Sequence, residues 1–233
     1  MKDLFMASNQ IKYFNNLQDL LSTPFQGEVN AMCWDRILTG DFSEIIDKID
    51  LREKNITELT VKTLRKLQLS EQGQLAREIL INDFELLEAN GKSPVLNIIR
   101  NYERDEELPF FPTDVYSFHI DRATIPSATF LCTYFGSTSE IIPNSEVTPK
   151  MLIPEIRAEL KKLYDGEEEG FESFLIENFF DLHYQVNPNA NPISLGVGQM
   201  WKLAIDYPES PVLPCIHRAP SEKKGEPRLL LIC

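Results

Sequence analysis

The stretch FHIDRATIPSATFLCTYFG, which runs from Phe118 to Gly136, sets the expectation for the fold. Its second half, ATFLCTYF, is rich in β-branched and aromatic residues and predicts a buried strand. Its first half places His119 and Asp121 two residues apart on another predicted strand. Side chains two apart on a strand point to the same face, so this imidazole and this carboxylate would project together, with Ile120 opposite.

The chain changes character at RDEELPFFPTD, residues 104–114, where prolines and acidic residues interrupt it. In residues 1–108, apolar side chains recur at helical spacing, which predicts a helical N-terminal region. In residues 109–233, short β-branched and aromatic runs alternate with turn residues, which predicts strands, with one helix at residues 154–164. We therefore expect an α+β fold in which both regions form one structural unit, because helices usually cover one face of a sheet.

Four helices are expected in the N-terminal region. The first is indicated by apolar residues at helical spacing, namely Ile11, Phe14, Leu17 and Leu21. A second helix would begin after Asp41, which is a suitable N-cap. A long third helix would end at Gly91, because glycine readily adopts the left-handed conformation that terminates helices. A shorter fourth helix is expected after Pro94.

Charge and composition exclude several classes of function. The 233 residues carry a formal net charge of -13, which repels phosphate backbones and argues against nucleic-acid binding. No apolar run approaches the roughly 18 residues of a membrane span, so we expect no membrane insertion. The N-terminus lacks the apolar core of a secretory signal, and the four cysteines form no CxxC motif. These features predict a reduced, cytoplasmic protein.

A second histidine strengthens the case for a metal site. His217 lies in PVLPCIHRAP, a short predicted strand bounded by prolines. Together with His119 and Asp121 it would form a 2-His-1-carboxylate set, which holds Fe(II) and leaves coordination positions open. A closed zinc site would need a fourth protein ligand. Cys215 shares the strand face of His217, but we disfavour it as the fourth ligand because the histidine of that strand already reaches the ion.

An arginine that could bind a carboxylate follows His217 in the sequence. Arg228 opens the predicted strand RLLLIC, eleven residues after His217 (228 minus 217). Its planar guanidinium can bind both oxygens of a carboxylate, which suits an acidic cosubstrate beside a metal site. The alternative is an ion pair with Glu222 or Glu226 across the intervening turn.

The order His-x-Asp, a distant His and then an Arg resembles the Fe(II)/2-oxoglutarate-dependent dioxygenase superfamily. The segments VNAMCWDR, FHID, LCTYFGSTSE and IHRAPSEKKGEPRLLL resemble, more specifically, a family of bacterial proteins of unknown function. The resemblance implies a double-stranded β-helix, or jelly roll, over residues 109–233. It also implies Fe(II) held by His119, Asp121 and His217, with Arg228 binding the distal carboxylate of 2-oxoglutarate. The implied activity is hydroxylation of a small molecule or of a protein segment.

Two further residues and one rival function stay open. Tyr134 would donate a hydrogen bond to the cosubstrate, because a buried tyrosine hydroxyl seeks a partner, although Thr133 competes for that position. His183 would be structural or face the substrate. The rival function is a metal-binding jelly roll without 2-oxoglutarate chemistry, which would handle or sense a metal or hydrolyse a substrate with zinc.

Overall fold

A computed structural model of the chain describes residues 9–51, 54–221 and 225–233. The strands are β1 (Ile11–Phe14), β2 (Ala31–Trp34), β3 (Ile56–Leu59), β4 (Val95–Ile99), β5 (Phe118–His119), β6 (Ala128–Phe135), β7 (Glu140–Ile142), β8 (Val147–Pro149), β9 (His183–Val186), β10 (Ile193–Ser194), β11 (Met200–Ala204), β12 (Ile216–Arg218) and β13 (Arg228–Ile232). The helices are α1 (Leu17–Ser22), α2 (Phe42–Asp47), α3 (Val61–Leu64), α4 (Glu71–Ala89), α5 (Pro154–Lys162) and α6 (Phe171–Glu177). Glu222, one of the two predicted alternative partners of Arg228, lies outside the described residues.

The described strands form two sheets, which gives the mixed α and β architecture expected for an α+β fold. The larger sheet has the order β1-β2-β11-β6-β13-β4-β3, and the smaller has the order β10-β7-β12-β5-β9-β8. Four strands of the larger sheet come from residues before position 108, and two of them, β2 and β4, pair with β11 and β13 from the C-terminal half. The two regions therefore share one sheet.

Of the four helices expected before residue 108, one is a strand instead and another is a strand in its first half only. The helix predicted from Ile11 to Leu21 begins only at Leu17, and its first part, Ile11–Phe14, is β1, which pairs in parallel with β2. The helix predicted after Pro94 is β4, which is bonded to β3 on one side and β13 on the other. Both segments are too short for apolar spacing to distinguish a helix from a strand, so pairing with neighbouring strands decides their conformation.

The other two helix predictions are confirmed. The Asp41 carboxylate accepts hydrogen bonds from the backbone N–H groups of Ser43 and Glu44 at the start of α2. The long α4 ends at Ala89, and Gly91 follows with a positive φ of 72°. No helix within the described ranges combines the length and the apolarity that a membrane crossing needs.

Apolar layers lie on both faces of the larger sheet. One face packs against the N-terminal helices through residues such as Leu20, Ile45 and Leu80. On the other face, Leu131 and Trp201 belong to a cluster that includes Ile141 from the smaller sheet. This second layer joins the two sheets, and we call the faces that meet there the inner faces.

A buried ion pair ties α4 to the larger sheet. Arg36, just after β2, donates through Nη1 to Asp83 Oδ1 of α4 at 2.9 Å and also bonds Oδ2 through Nη2. The Tyr134 hydroxyl of β6 donates to Asp83 Oδ2 at 2.6 Å. The Asp83 side chain is 0% exposed, so its charge has been removed from water and depends on these partners.

We predict that Asp83→Asn lowers the free energy of unfolding by about 3–5 kcal/mol, because it leaves the Arg36 charge buried without a counter-charge. The control is Glu85→Gln on the same helix, whose carboxylate pairs with Arg65 but is 50% exposed. That change should cost less than about 1 kcal/mol, as is typical of exposed pairs. Urea denaturation measures both, and equal losses in the two variants would contradict the prediction.

Candidate metal centre

The three predicted ligands converge in the structure. Strand β12 pairs with β5 so that His217 lies directly opposite His119, and their ring centroids are 4.6 Å apart. Asp121 follows β5, where its carbonyl oxygen accepts a hydrogen bond from Asp206 N–H at 2.8 Å. One ligand atom from each of the three residues lies within 4.8 Å of the others.

The spacing of one pair of these atoms is compatible with a shared cation. Two atoms that bind one ion at about 2.1 Å each can be at most about 4.2 Å apart. His217 Nε2 and Asp121 Oδ2 are 3.6 Å apart and already satisfy this limit. Phe118 and Ile120 pack in an apolar cluster on the outer face of the smaller sheet, which leaves the ligand set on the inner face.

Backbone carbonyls orient both imidazoles. His119 Nδ1 lies 2.8 Å from Ser117 O, and His217 Nδ1 lies 3.3 Å from Cys215 O. A carbonyl oxygen can only accept, so each Nδ1 must carry the proton and donate it. Each Nε2 then presents a lone pair, which is the form in which histidine binds a metal.

Burial keeps His119 in the neutral form. Burial and, to a smaller extent, the neighbouring His217 lower the pKa of His119 to about 4. At neutral pH the imidazole is therefore uncharged, so a cation has no proton to displace from it. Because this pKa is depressed, the neutral state holds above about pH 4 and is lost as the pH falls through that value.

Thr129 contacts the candidate site, and the sequence did not reveal this contact. It lies on β6 of the larger sheet, and its hydroxyl donates to Asp121 Oδ2 at 2.5 Å. A hydrogen bond of this kind orients a carboxylate for a metal. In the sequence, Thr129 is one of several residues on one face of a predicted strand. That position does not predict a hydrogen bond to a residue beside the other sheet.

Arg228 lies on the inner side of the larger sheet. Its contacts show that Thr133, and not Tyr134, shares this side. Arg228 is buried, and its Nη2 lies 3.1 Å from Ser139 Oγ and 3.4 Å from Thr133 Oγ1. Tyr134 occupies the opposite, helix-covered face, where its hydroxyl donates to Asp83. The structure therefore does not bring Tyr134 to the site, because strand alternation directs Thr133 inward and Tyr134 outward.

His183 lies beside the predicted ligands, whereas Cys215 does not join them. His183 of β9 is the register partner of His119, so the three histidines form a row across β12, β5 and β9. Burial, together with nearby His119 and Lys150, lowers the pKa of His183 to about 3. Cys215 packs in the apolar layer between the sheets, where burial raises the pKa of its thiol.

Two cavities flank the strand that carries His119. One, of about 430 Å³, is lined by residues that include His119, Asp121 and His183. The other, of about 810 Å³, has Phe118 and Tyr184 in its lining. Within the described residues, the larger cavity is lined by none of the three predicted ligands. The smaller cavity is therefore the one that adjoins the candidate metal centre, through His119 and Asp121 but not through His217.

Comparisons with protein-family models, with curated proteins and with solved structures found no match to this chain.

We predict that His119→Ala, Asp121→Ala and His217→Ala each weaken Fe(II) binding by more than the roughly 10–100-fold typical of changes outside the ligand shell. Two remaining ligands cannot replace the third. His183→Ala serves as the control, because we expect it to retain its iron. Metal content after equal anaerobic loading and dialysis measures the effect, and equal iron in all four variants would refute the ligand set.

Thr129→Val should weaken metal binding about 10–100-fold, because it removes the hydrogen bond that orients Asp121 while preserving side-chain shape. Thr129→Ser retains a hydroxyl and should stay close to the unmodified protein. Competition against a metal-binding dye gives the affinities. If the serine and valine variants bind equally well, Thr129 has no positioning role.

Proposed function

We propose that this protein is an Fe(II)- and 2-oxoglutarate-dependent oxygenase whose two sheets form a double-stranded β-helix, or jelly roll. The observation that carries the proposal is the convergence of His119, Asp121 and His217 on the inner face of the smaller sheet. Two imidazoles and a carboxylate are the ligand set of non-haem Fe(II) oxygenases, and they leave positions open on an octahedral ion. The jelly roll is supported by the apolar layer that the two sheets share.

Arg228 supports the assignment of the cosubstrate. Its guanidinium is 3% exposed and is flanked by the hydroxyls of Ser139 and Thr133. A carboxylate in this position would receive a planar, charge-assisted pair of hydrogen bonds, supplemented by neutral donors. Strand β6 contacts both parts of the proposed site, through Thr129 to Asp121 and through Thr133 to Arg228.

In this proposal, named residues of the protein bind the metal and orient its ligands. Bound Fe(II) and 2-oxoglutarate, together with O₂, would supply the oxidising chemistry: one oxygen atom of O₂ would enter succinate as 2-oxoglutarate loses CO₂, and the other would hydroxylate a C–H bond. His119 and His217 present neutral nitrogens, because backbone carbonyls hold their Nδ1 protons. Thr129 orients the Asp121 carboxylate. The substrate would be a small molecule or a protein segment.

Anaerobic addition of Fe(II) and 2-oxoglutarate tests the proposal directly. Chelation of the metal by 2-oxoglutarate should produce a weak visible charge-transfer band, and the band should be absent in His217→Ala. A protein that binds the metal but shows no band would instead be a metal-handling or hydrolytic protein.

We predict that Arg228→Ala retains its metal but binds 2-oxoglutarate about ten- to a hundredfold more weakly, since a charge-assisted hydrogen bond contributes roughly 1.5–3 kcal/mol. Arg228→Lys should recover part of the loss, because an ammonium group supplies charge without the planar fork. Titration of the visible band gives both affinities, and circular dichroism confirms that the variants fold. An unchanged affinity in Arg228→Ala would rule out this role for the arginine.

A further inference from the structure

The cavity beside the candidate metal centre has the size and position of a ligand site. Its volume is about 430 Å³, which falls in the range of small-molecule pockets. His119 and Asp121 line one side of it, and His183 and Phe179 line another. A molecule bound there would lie against the residues that we assign to the metal.

His183 lines this cavity and has an unsatisfied hydrogen-bonding atom. The residue is only 5% exposed, and in the described part of the chain its buried Nδ1 has no hydrogen-bond partner. Buried polar atoms without partners are rare in folded proteins and need an explanation. The neighbouring ring of Phe111 packs edge-on to the imidazole and offers it no acceptor. A polar group of a bound molecule would satisfy the imidazole.

Phe179 is unusual in both conformation and exposure. Its backbone is left-handed, with φ 60° and ψ 17°, which is unfavourable for a bulky residue. Its side chain is nevertheless 58% exposed, so burial of the ring does not offset this strain. Strained residues of this kind concentrate at binding and catalytic sites. The ring lies at the cavity, where it offers an apolar and aromatic surface to a ligand.

The charges around the cavity disfavour an anion. Arg122 is the one lysine or arginine that lines it within the described residues, and this guanidinium already pairs with Asp181 and Asp206. The carboxylate of Asp114 also lines the cavity. In the metal-free protein, an anionic ligand would therefore meet negative charge and no available cation, whereas a neutral or cationic ligand would not be repelled.

We propose that this cavity is the substrate pocket and takes a small, neutral or cationic molecule with an apolar ring or chain against Phe179 and a hydrogen-bonding group against His183. The identification of the ligand as a substrate rests on the proposed oxygenase function, whereas the binding itself does not. Both residues are needed for this selectivity. Phe179 selects for an apolar ring or chain, and His183 selects for a hydrogen-bonding group.

Four probes that share a phenyl ring test this selectivity on the full chain. They are benzyl alcohol, benzylammonium, toluene and phenylmethanesulfonate, and NMR titration gives each dissociation constant first without metal and then with Mn(II). Benzyl alcohol and benzylammonium should bind at least about threefold more tightly than toluene, the range expected of one hydrogen bond, and the sulfonate should bind most weakly. Mn(II) should broaden the signals of the bound probes, because the pocket adjoins the metal residues.

Variants identify the residues responsible. His183→Phe keeps an aromatic ring but removes both nitrogens, so benzyl alcohol should fall to the affinity of toluene, while His183→Gln should retain part of the difference. Phe179→Ala should weaken all the probes. The control is Ile176→Ala, an exposed residue of α6 that does not line the cavity, and it should change nothing.

Two results would overturn the inference. One is sulfonate binding in the metal-free titration that is as tight as that of benzyl alcohol, and the other is a set of pocket variants that match Ile176→Ala. A failure of the oxygenase proposal alone would give another pattern of results. The visible band would be absent, but the metal-free titrations would still show the selectivity that depends on His183 and Phe179.

Discussion

The antiparallel pairing of β5 with β12 is the constraint on which the candidate site depends. It places His217 opposite His119, and the same register on the other side of β5 places His183 opposite His119. Strand β5 is only two residues long, so this alignment relies on the neighbouring strands and on the bonds that hold the chain after it. A shift of β5 by one residue would turn His119 to the other face of the sheet, away from His217.

The inner faces of the two sheets then determine the environment of these side chains. The apolar layer between the sheets supplies the low dielectric that keeps His119 neutral. It also makes each polar contact within it stronger than the same contact would be in water. Strand β6 supplies Thr129 to one part of the proposed site and Thr133 to another, so a single strand of the larger sheet positions both.

The opposite face of β6 has a structural role. Tyr134 and Cys132 point toward the N-terminal helices, where Tyr134 completes the buried pair of Arg36 and Asp83. This network anchors α4 against the central strands. Side chains alternate between the two faces of β6, so one face contributes to the stability of the fold and the other faces the proposed site. Thr133 and Tyr134 are adjacent in sequence but lie on opposite faces.

The sequence by itself determined the properties that depend on local chemistry. The Asp41 cap, the end of α4 before Gly91, the strand ATFLCTYF and the common face of His119 and Asp121 all follow from spacing, capping and alternation, and the structure agrees with each. The predicted ligand set also came from sequence, because the types and order of its residues are chemically distinctive. Its role in binding a metal remains a prediction.

Only the tertiary structure decided which strands pair and which side chains meet. The segments Ile11–Phe14 and Val95–Ile99 are strands because neighbouring strands satisfy their backbone groups, and those neighbours are distant in sequence. The same holds for the bond from Thr129 to Asp121 and for the place of His183 beside His119. Such contacts arise from the register and packing of whole sheets, and local spacing carries no information about either.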